Sequence, residues 1–304
     1  MLFPLESSPF AASLIWSITT IYTNTDKKKA GRRWKIIVQG TFVLHTVAPG
    51  ETLYGIALRY QSDPEQIVTA NALYPPFTEE FRIFPGQLLV VPALSGGRTV
   101  TLYTVNQGET LTLTGRKFGT SAELIAGIND TIQNPDFIFA SQQVIVPAAI
   151  YRIEEGDSIY GIARKMGVSP EAILKANRGR PSISADLIYS GTLLIVPLPI
   201  SANIAVFQPL PGSEITEGSI LSGFARAFEG TVLFEVRDSG GRVIGEERFT
   251  TAAAGGPAFA PFLTILKFDR TPAVQEGLIR VFTRSAVDNS VENEVIIPVY
   301  FSRN

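Results

Sequence analysis

Hydrophobic positions between residues 44 and 198 follow one rhythm, and they follow it three times. A short apolar stretch comes first, at Thr46-Val47, Thr104-Val105 and Arg152-Ile153, and predicts a strand. A glycine turn comes next, at Gly50, Gly108 and Gly156. Apolar residues then recur at helical spacing: Leu53, Ile56, Ala57 and Tyr60 in the first copy, Ile159, Ile162, Ala163 and Met166 in the third. Thr52, Thr110 and Ser158 stand where an N-cap hydroxyl would accept from a first-turn amide. A second helix start is written at Asp63-Pro64-Glu65, Ser121-Ala122-Glu123 and Ser169-Pro170-Glu171, each with a capping side chain and an acid near the positive helix end. Asn71, Asn129 and Asn177 each follow their glycine by 21 residues and are expected to end that helix, asparagine being tolerant of left-handed geometry and able to bond nearby backbone. Hydrophobic runs at 88–91, 144–146 and 193–196 then close the copies. The predicted unit is strand–helix–helix–strand, with its two strands antiparallel.

Length varies in only one place. From each asparagine to Phe84, Phe139 or Tyr189 the count changes, whereas from that aromatic to Pro92, Pro147 or Pro197 it is always eight residues. The second copy departs in composition, with Thr112, Thr114 and Gly115 in its first helix and Ala140-Ser141 in place of Pro85-Gly86. Glycine inside a helix costs about 1 kcal/mol against alanine, so this copy is expected to fold as a weak binder or a spacer. The links at 94–98 and 148–150 are short, which makes the copies near neighbours.

After residue 204 the period changes. Extended segments at 215–224, 231–238, 242–250, 262–268, 278–284 and 294–301 are separated by turn signals such as Asp238-Ser239-Gly240-Gly241. Leu278 and Phe282 read as alternating against Arg280 and Arg284. About seven short strands in about 100 residues predict a sandwich of two sheets.

Composition narrows the function. The 304 residues are 45% hydrophobic and 18% charged, as in an ordered globular protein with room for several domains. A net charge of −2 offers no basic footprint, which argues against nucleic acid as a partner. The absence of cysteine excludes disulfides and thiolate metal sites, and it suits a reducing cytosol or a bacterial exported protein. The single histidine, His45, builds neither a zinc site nor a nucleophilic triad and reads as a strand-edge residue. Glu79-Glu80 and Glu154-Glu155 are adjacent acids that point apart in an extended chain, whereas glycoside hydrolysis needs two carboxylates facing across a cleft. The chain is therefore expected to be non-enzymatic, with no metal and no cofactor.

Three readings compete for the leader, residues 1–43, which holds an apolar run at 9–22 followed by Lys27, Lys28, Lys29, Arg32 and Arg33. It reads as an atypical export segment, as a disordered or wrongly assigned leader, or as an anchor that would leave the repeats cytoplasmic.

The Gly-Glu-Thr-Leu or Gly-Asp-Ser-Ile turn, the helical pattern, the asparagine and the IFPGQLLVVP-like close together resemble the LysM domain, a carbohydrate-binding module. Residues 204–304, with their PLPGS and FEGTV stretches, look like the immunoglobulin-like domain associated with bacterial spore germination. The expected fold is multidomain: three small α+β (βααβ) LysM-like modules at 44–93, 101–148 and 149–198, followed by an all-β immunoglobulin-like sandwich at 204–304. The resemblance implies non-catalytic binding of N-acetylglucosamine polymers, peptidoglycan or chitin, at a bacterial cell wall or spore. It places one groove at Gly50, Glu51, Thr52, Leu53 and Tyr54 with Ile83, Phe84, Pro85 and Gly86. The second groove would use Gly156, Asp157, Ser158, Ile159 and Tyr160 with Ile188, Tyr189, Ser190 and Gly191. The alternative is an assembly protein of a spore or envelope layer, acting through protein contacts in which the C-terminal domain holds a protein partner.

Overall fold

The computed structural model describes residues 37–79, 81–93 and 98–302. The readings made for residues 1–36, and most of the link at 94–98, lie outside the described residues. Module 1 runs β1 (Thr41–Thr46), α1 (Leu53–Arg59), α2 (Pro64–Asn71) and β2 (Leu88–Ala93). Module 2 repeats this as β3 (Val100–Thr104), α3 (Leu111–Phe118), α4 (Ala122–Gly127) and β4 (Gln143–Ile145). Module 3 follows with β5 (Ala148–Arg152), α5 (Ile159–Met166), α6 (Pro170–Ala176) and β6 (Leu193–Pro197). All six helices start at the expected side chains: Thr52, Thr110 and Ser158 cap the first helices, and Asp63, Ser121 and Ser169 cap the second. Each opening strand begins earlier than the alternation suggested, so that Val47, Val105 and Ile153 lie just beyond it as buried residues.

Asn71 and Asn177 do end their helices and bond backbone, but without left-handed geometry at Asn177. Asn177 has a φ of −98°, and the left-handed residue of module 1 is Ala72, with a φ of 50°. Each asparagine is also a buried staple between the second helix and the closing strand. Asn71 donates to the carbonyls of Ile67 and Val90 and accepts from the Val90 amide, all at 2.8 Å. Asn129 makes the same three bonds with Ile125 and Ile145, and Asn177 makes them with Ile173 and Ile195. A primary amide supplies donor and acceptor together, which a buried strand amide and carbonyl both need.

The copies are fused rather than strung together. The strands of modules 1 and 2 form one four-stranded sheet, ordered β2-β1-β3-β4, in which β1 and β3 run parallel from Thr41↔Val100 to Leu44↔Tyr103. The supposed link at 148–150 is itself strand β5, paired antiparallel with β6. Residues 37 and 38, counted with the leader from sequence, belong to this body: the Val38 amide donates to Ile150 O at 2.8 Å, and Ile37 bridges to Tyr151. One buried cluster draws Leu44 and Val90 from module 1, Phe118 and Ile125 from module 2, and Ile150 and Ile195 from module 3. His45 is corrected with the sheet. Its strand β1 is internal, and the residue is 4% exposed.

The C-terminal domain is a sandwich. Its larger sheet is built from β8 (Glu214–Ile215), β10 (Thr231–Asp238), β11 (Val243–Thr251), β13 (Glu276–Arg284) and β14 (Val291–Phe301), in the order β11-β10-β13-β14-β8. The smaller holds β7 (Ile204–Gln208), β9 (Ile220–Ala225) and β12 (Ala260–Ile265), in the order β12-β9-β7. The segment read as extended over 215–224 breaks into β8 and β9 around the turn closed by Ser219 N–H to Thr216 O. The facing of β13 also needs correction. Positions 278, 280, 282 and 284 share a parity, and the inter-sheet core takes Ile279 and Val281. Arg280 lies on the outer face, where it is salt-bridged to Glu235 and Glu294. The sandwich sits directly on the modules: Leu124 and Ile128 of module 2 pack with Ala205, Phe207, Phe224 and Phe259.

Candidate glycan-binding turns

In every module the glycine turn lies against the loop that feeds the closing strand. The Gly86 amide donates to Val47 O at 2.8 Å, and the Val47 amide donates to Gln87 O at 2.9 Å. Ser141 and Gly191 make the equivalent 2.8 Å bonds to Val105 and Ile153. Gly50, Gly86, Gly156 and Gly191 have φ values of 82°, 84°, 82° and 87°, and a Cβ on any of them would meet nothing within 4 Å. Two turns thus lie side by side with open backbone above them. That combination needs glycine for its dihedrals and leaves room for a ligand to approach the main chain.

Beneath each turn sits a charged brace that the sequence reading missed. Glu51 accepts from the Ala48 amide at 2.8 Å, meets His45 Nε2 at 2.6 Å and pairs with Arg59 at 2.5 Å. Burial alone would raise the Glu51 pKa, but the Ala48 amide, His45 and Arg59 outweigh it and hold the carboxyl below its ordinary value. In module 2 Tyr103 donates to Glu109 at 2.9 Å, with the Lys117 ammonium 5.0 Å from the Tyr103 ring centroid. In module 3 Tyr151 donates to Asp157 at 2.8 Å, and Lys165 reaches the Tyr151 hydroxyl at 2.9 Å. Burial, with the neighbouring carboxylate, pushes both phenols up and keeps them as donors. The available signal was a spacing: ring, acid six residues later, cation eight residues beyond the acid, in all three copies.

The LysM domain family model matches residues 45–92, 103–147 and 151–197, and the model for the immunoglobulin-like domain of bacterial spore germination matches 203–290. The chain carries three LysM domains and one such immunoglobulin-like domain. Among curated proteins, the N-acetylmuramoyl-L-alanine amidase sle1 of Staphylococcus epidermidis is 29% identical over 174 residues, covering 50% of each chain. The autolysin of Enterococcus faecalis is 26% identical over 186 residues, covering 52% of this chain and 24% of its own. This chain therefore spans half or less of these two relatives, and the similarity falls on the LysM-containing part. Among solved structures, the Bacillus cereus spore cortex-lytic enzyme SleL aligns at 26% identity over 35% of this chain and 22% of that one, with a TM-score of 0.26.

Within LysM domains 1 and 3 the expected site residues divide into two groups. Tyr54, Tyr160 and Phe84 stand out from the surface at 78%, 66% and 46% exposure, beside exposed Gly50, Pro85, Gly86, Gly156 and Ser190, with Gly191 half-buried. The others face inward or are engaged. Leu53 and Ile159 are core residues, Ile83 and Ile188 pack onto the core, Thr52 and Ser158 serve as helix caps, and Glu51 and Asp157 serve as turn braces. Tyr189 is half-buried, its ring 4.1 Å from that of Phe77 in LysM domain 1. Domain 2 keeps the same backbone, with Gly108 at φ 75° and Ser141 at φ 68°. A cavity of about 370 Å³ opens elsewhere, between LysM domain 3 and the sandwich, lined by Tyr151, Lys165, Met166 and Pro211 among others. Among the described residues no group of acids and histidines is placed to hold a metal, and no helix is long and apolar enough to cross a membrane.

Proposed function

We propose that the chain binds N-acetylglucosamine-containing glycans without cleaving them, and so holds its immunoglobulin-like domain at the bacterial cell wall or spore. Peptidoglycan, including spore cortex, is the favoured polymer. The observation that carries this reading is the pair of open-backed turns, present in LysM domains 1 and 3 with an exposed tyrosine beside each. An acetamido group offers one donor, one acceptor and a methyl, and main-chain amides and carbonyls next to an apolar ring answer all three. Support for the polymer comes from the company these domains keep, since the LysM-containing part is shared with an amidase and an autolysin. The lack of cleavage rests on the chemistry present. Glu51 is engaged by the Ala48 amide and His45, and Asp157 by the Glu154 amide and Tyr151, so each acid braces its turn and is not held free to work in a facing pair.

Retention of the full chain on purified peptidoglycan tests the reading. Retention that is released by soluble N-acetylglucosamine oligosaccharides, and weakened by the combined substitution Tyr54→Ala and Tyr160→Ala, is the expected result. Equal recovery in the unbound fraction with and without peptidoglycan would overturn it.

A further inference from the structure

The loops of variable length prove to be where LysM domains 1 and 3 meet. In domain 1 the segment between α2 and β2 carries Tyr74, Phe77, Phe81 and Phe84; in domain 3 the matching segment carries Tyr189. Phe77 stacks edge-on with Tyr74 at 6.3 Å and with Tyr189 at 4.1 Å, so three rings cross the seam without a break. Below them the seam is locked. The Leu88 amide donates to Gly179 O at 3.1 Å, and buried Arg180 bonds Ala70 O and Asn71 Oδ1 at 3.1 and 3.2 Å. The ring row therefore runs from Tyr74 through Phe77 in domain 1 to Tyr189 in domain 3.

These rings are not simply core. Tyr74 and Phe81 are 37% and 47% exposed, and Phe77 and Tyr189 are half-buried. Phe81 is held at a φ of 60°, a region that bulky residues avoid, with its amide tied to Leu73 O at 3.2 Å and its ring toward solvent. Among the described residues of this segment the charges Glu79 and Arg82 pair with each other at 2.6 Å. A strip of exposed rings and phenol edges suits the apolar face of a pyranose, with its hydroxyls turned to the tyrosine tips.

We infer that Tyr74, Phe77, Phe81 and Tyr189 form a sugar-stacking shelf that joins the two turns, so that one glycan chain is held across LysM domains 1 and 3 together. The inference rests on the glycan reading above and adds a subsite that extends from Tyr189 of the second groove across the seam to domain 1. Its consequence is a dependence on length. A short oligosaccharide fills one turn, whereas a longer one gains the shelf as well, in the manner of linked sites with no tether to span.

The experiment is calorimetric titration of the full chain with four-residue and eight-residue N-acetylglucosamine oligosaccharides. The wild type is compared with the Tyr74→Ala, Phe81→Ala double variant, both of whose side chains are exposed, and with Phe77→Ala. The expected result is that the double variant keeps its tetramer affinity and loses about five-fold on the octamer. Phe77→Ala should show the same selective loss, with thermal melting reporting whether the seam still holds. An octamer-to-tetramer affinity ratio in the double variant equal to that of the wild type would overturn the shelf, whatever the absolute affinities. Failure of the wild type to bind either oligosaccharide would overturn the glycan reading itself, and the shelf with it.

Discussion

LysM domains 1 and 2 are joined through their strands, whereas domains 1 and 3 are joined through their loops. The first junction is repetitive: parallel β1 and β3 extend one sheet, and Tyr60 reaches across it to Thr104 at 3.1 Å and back to His45 at 2.9 Å. The second junction is specific. Arg180 is the only side chain shared by two asparagine staples among the described residues, bonding Asn177 Oδ1 at 3.0 Å and Leu193 O at 2.6 Å on one side and domain 1 on the other. It has no carboxylate in that set, and burial lowers its pKa from the usual arginine value. The difference teaches that one fold can be fused in two ways, and that length variation here marks an interface rather than idle surface.

The sharpest way to break the comparison is Arg180→Met. Losing four bonds to buried acceptors should cost on the order of 3 kcal/mol in urea unfolding, while leaving the β1–β3 pairing in place. A double-mutant cycle sharpens it. Arg180→Met should couple to Asn71→Ala and not to Asn129→Ala, whose staple lies outside the loop junction.

Next in size is Gly115→Ala. Helix propensity from sequence predicts a gain of about 1 kcal/mol for this change. The structure reverses the sign, because a Cβ there would sit 2.7 Å from the Thr120 carbonyl oxygen, and a loss of about 2 kcal/mol is expected instead. Thermal melting decides between the two directions. Tyr60→Phe tests the strand junction and should cost about 1 kcal/mol, less than the loop junction, because it removes two bonds where Arg180→Met removes four.

Acid titration separates the turns. Glu51 has a depressed pKa in the fold, so its stabilising contribution is complete above the unfolded-state value of about 4.3 and is lost as pH falls through the lower folded value. Glu51→Gln should therefore be less stable than wild type near neutrality, with a gap that closes at low pH in chemical unfolding series. The smallest effect is expected from Ser141→Gly. Its φ of 68° strains a serine where domains 1 and 3 have Gly86 and Gly191, and relief should add roughly 0.5 kcal/mol to the melting stability.

The three-copy frame was legible because its signals are local. Thr52, Asp63 and their counterparts cap helices wherever a hydroxyl or carboxyl precedes a helical stripe, and a closing run such as 88–91 needs no partner to be recognised. The asparagines were visible as positions but not as staples, since their partners Val90, Ile145 and Ile195 lie 16 to 19 residues away. Arg180 was illegible for the same reason in stronger form, its partner Asn71 being 109 residues distant. The shared parity of Leu278 and Arg280 was readable, and the misreading came from weighing hydrophobicity above register. Of the expected site, the glycines and exposed tyrosines could be placed from sequence. Leu53 and Ile159 entered the groove only through the resemblance, although their place in the helical stripe with Ile56 and Ile162 already pointed them inward.

The most direct test is an amide-resolved NMR titration of the full chain with an N-acetylglucosamine tetramer. The expected result is a set of shifts centred on Gly50, Tyr54 and Gly86, and on Gly156, Tyr160 and Gly191, with the sandwich unmoved. Shifts confined to the sandwich, or none at saturating sugar, would contradict glycan recognition by the paired turns.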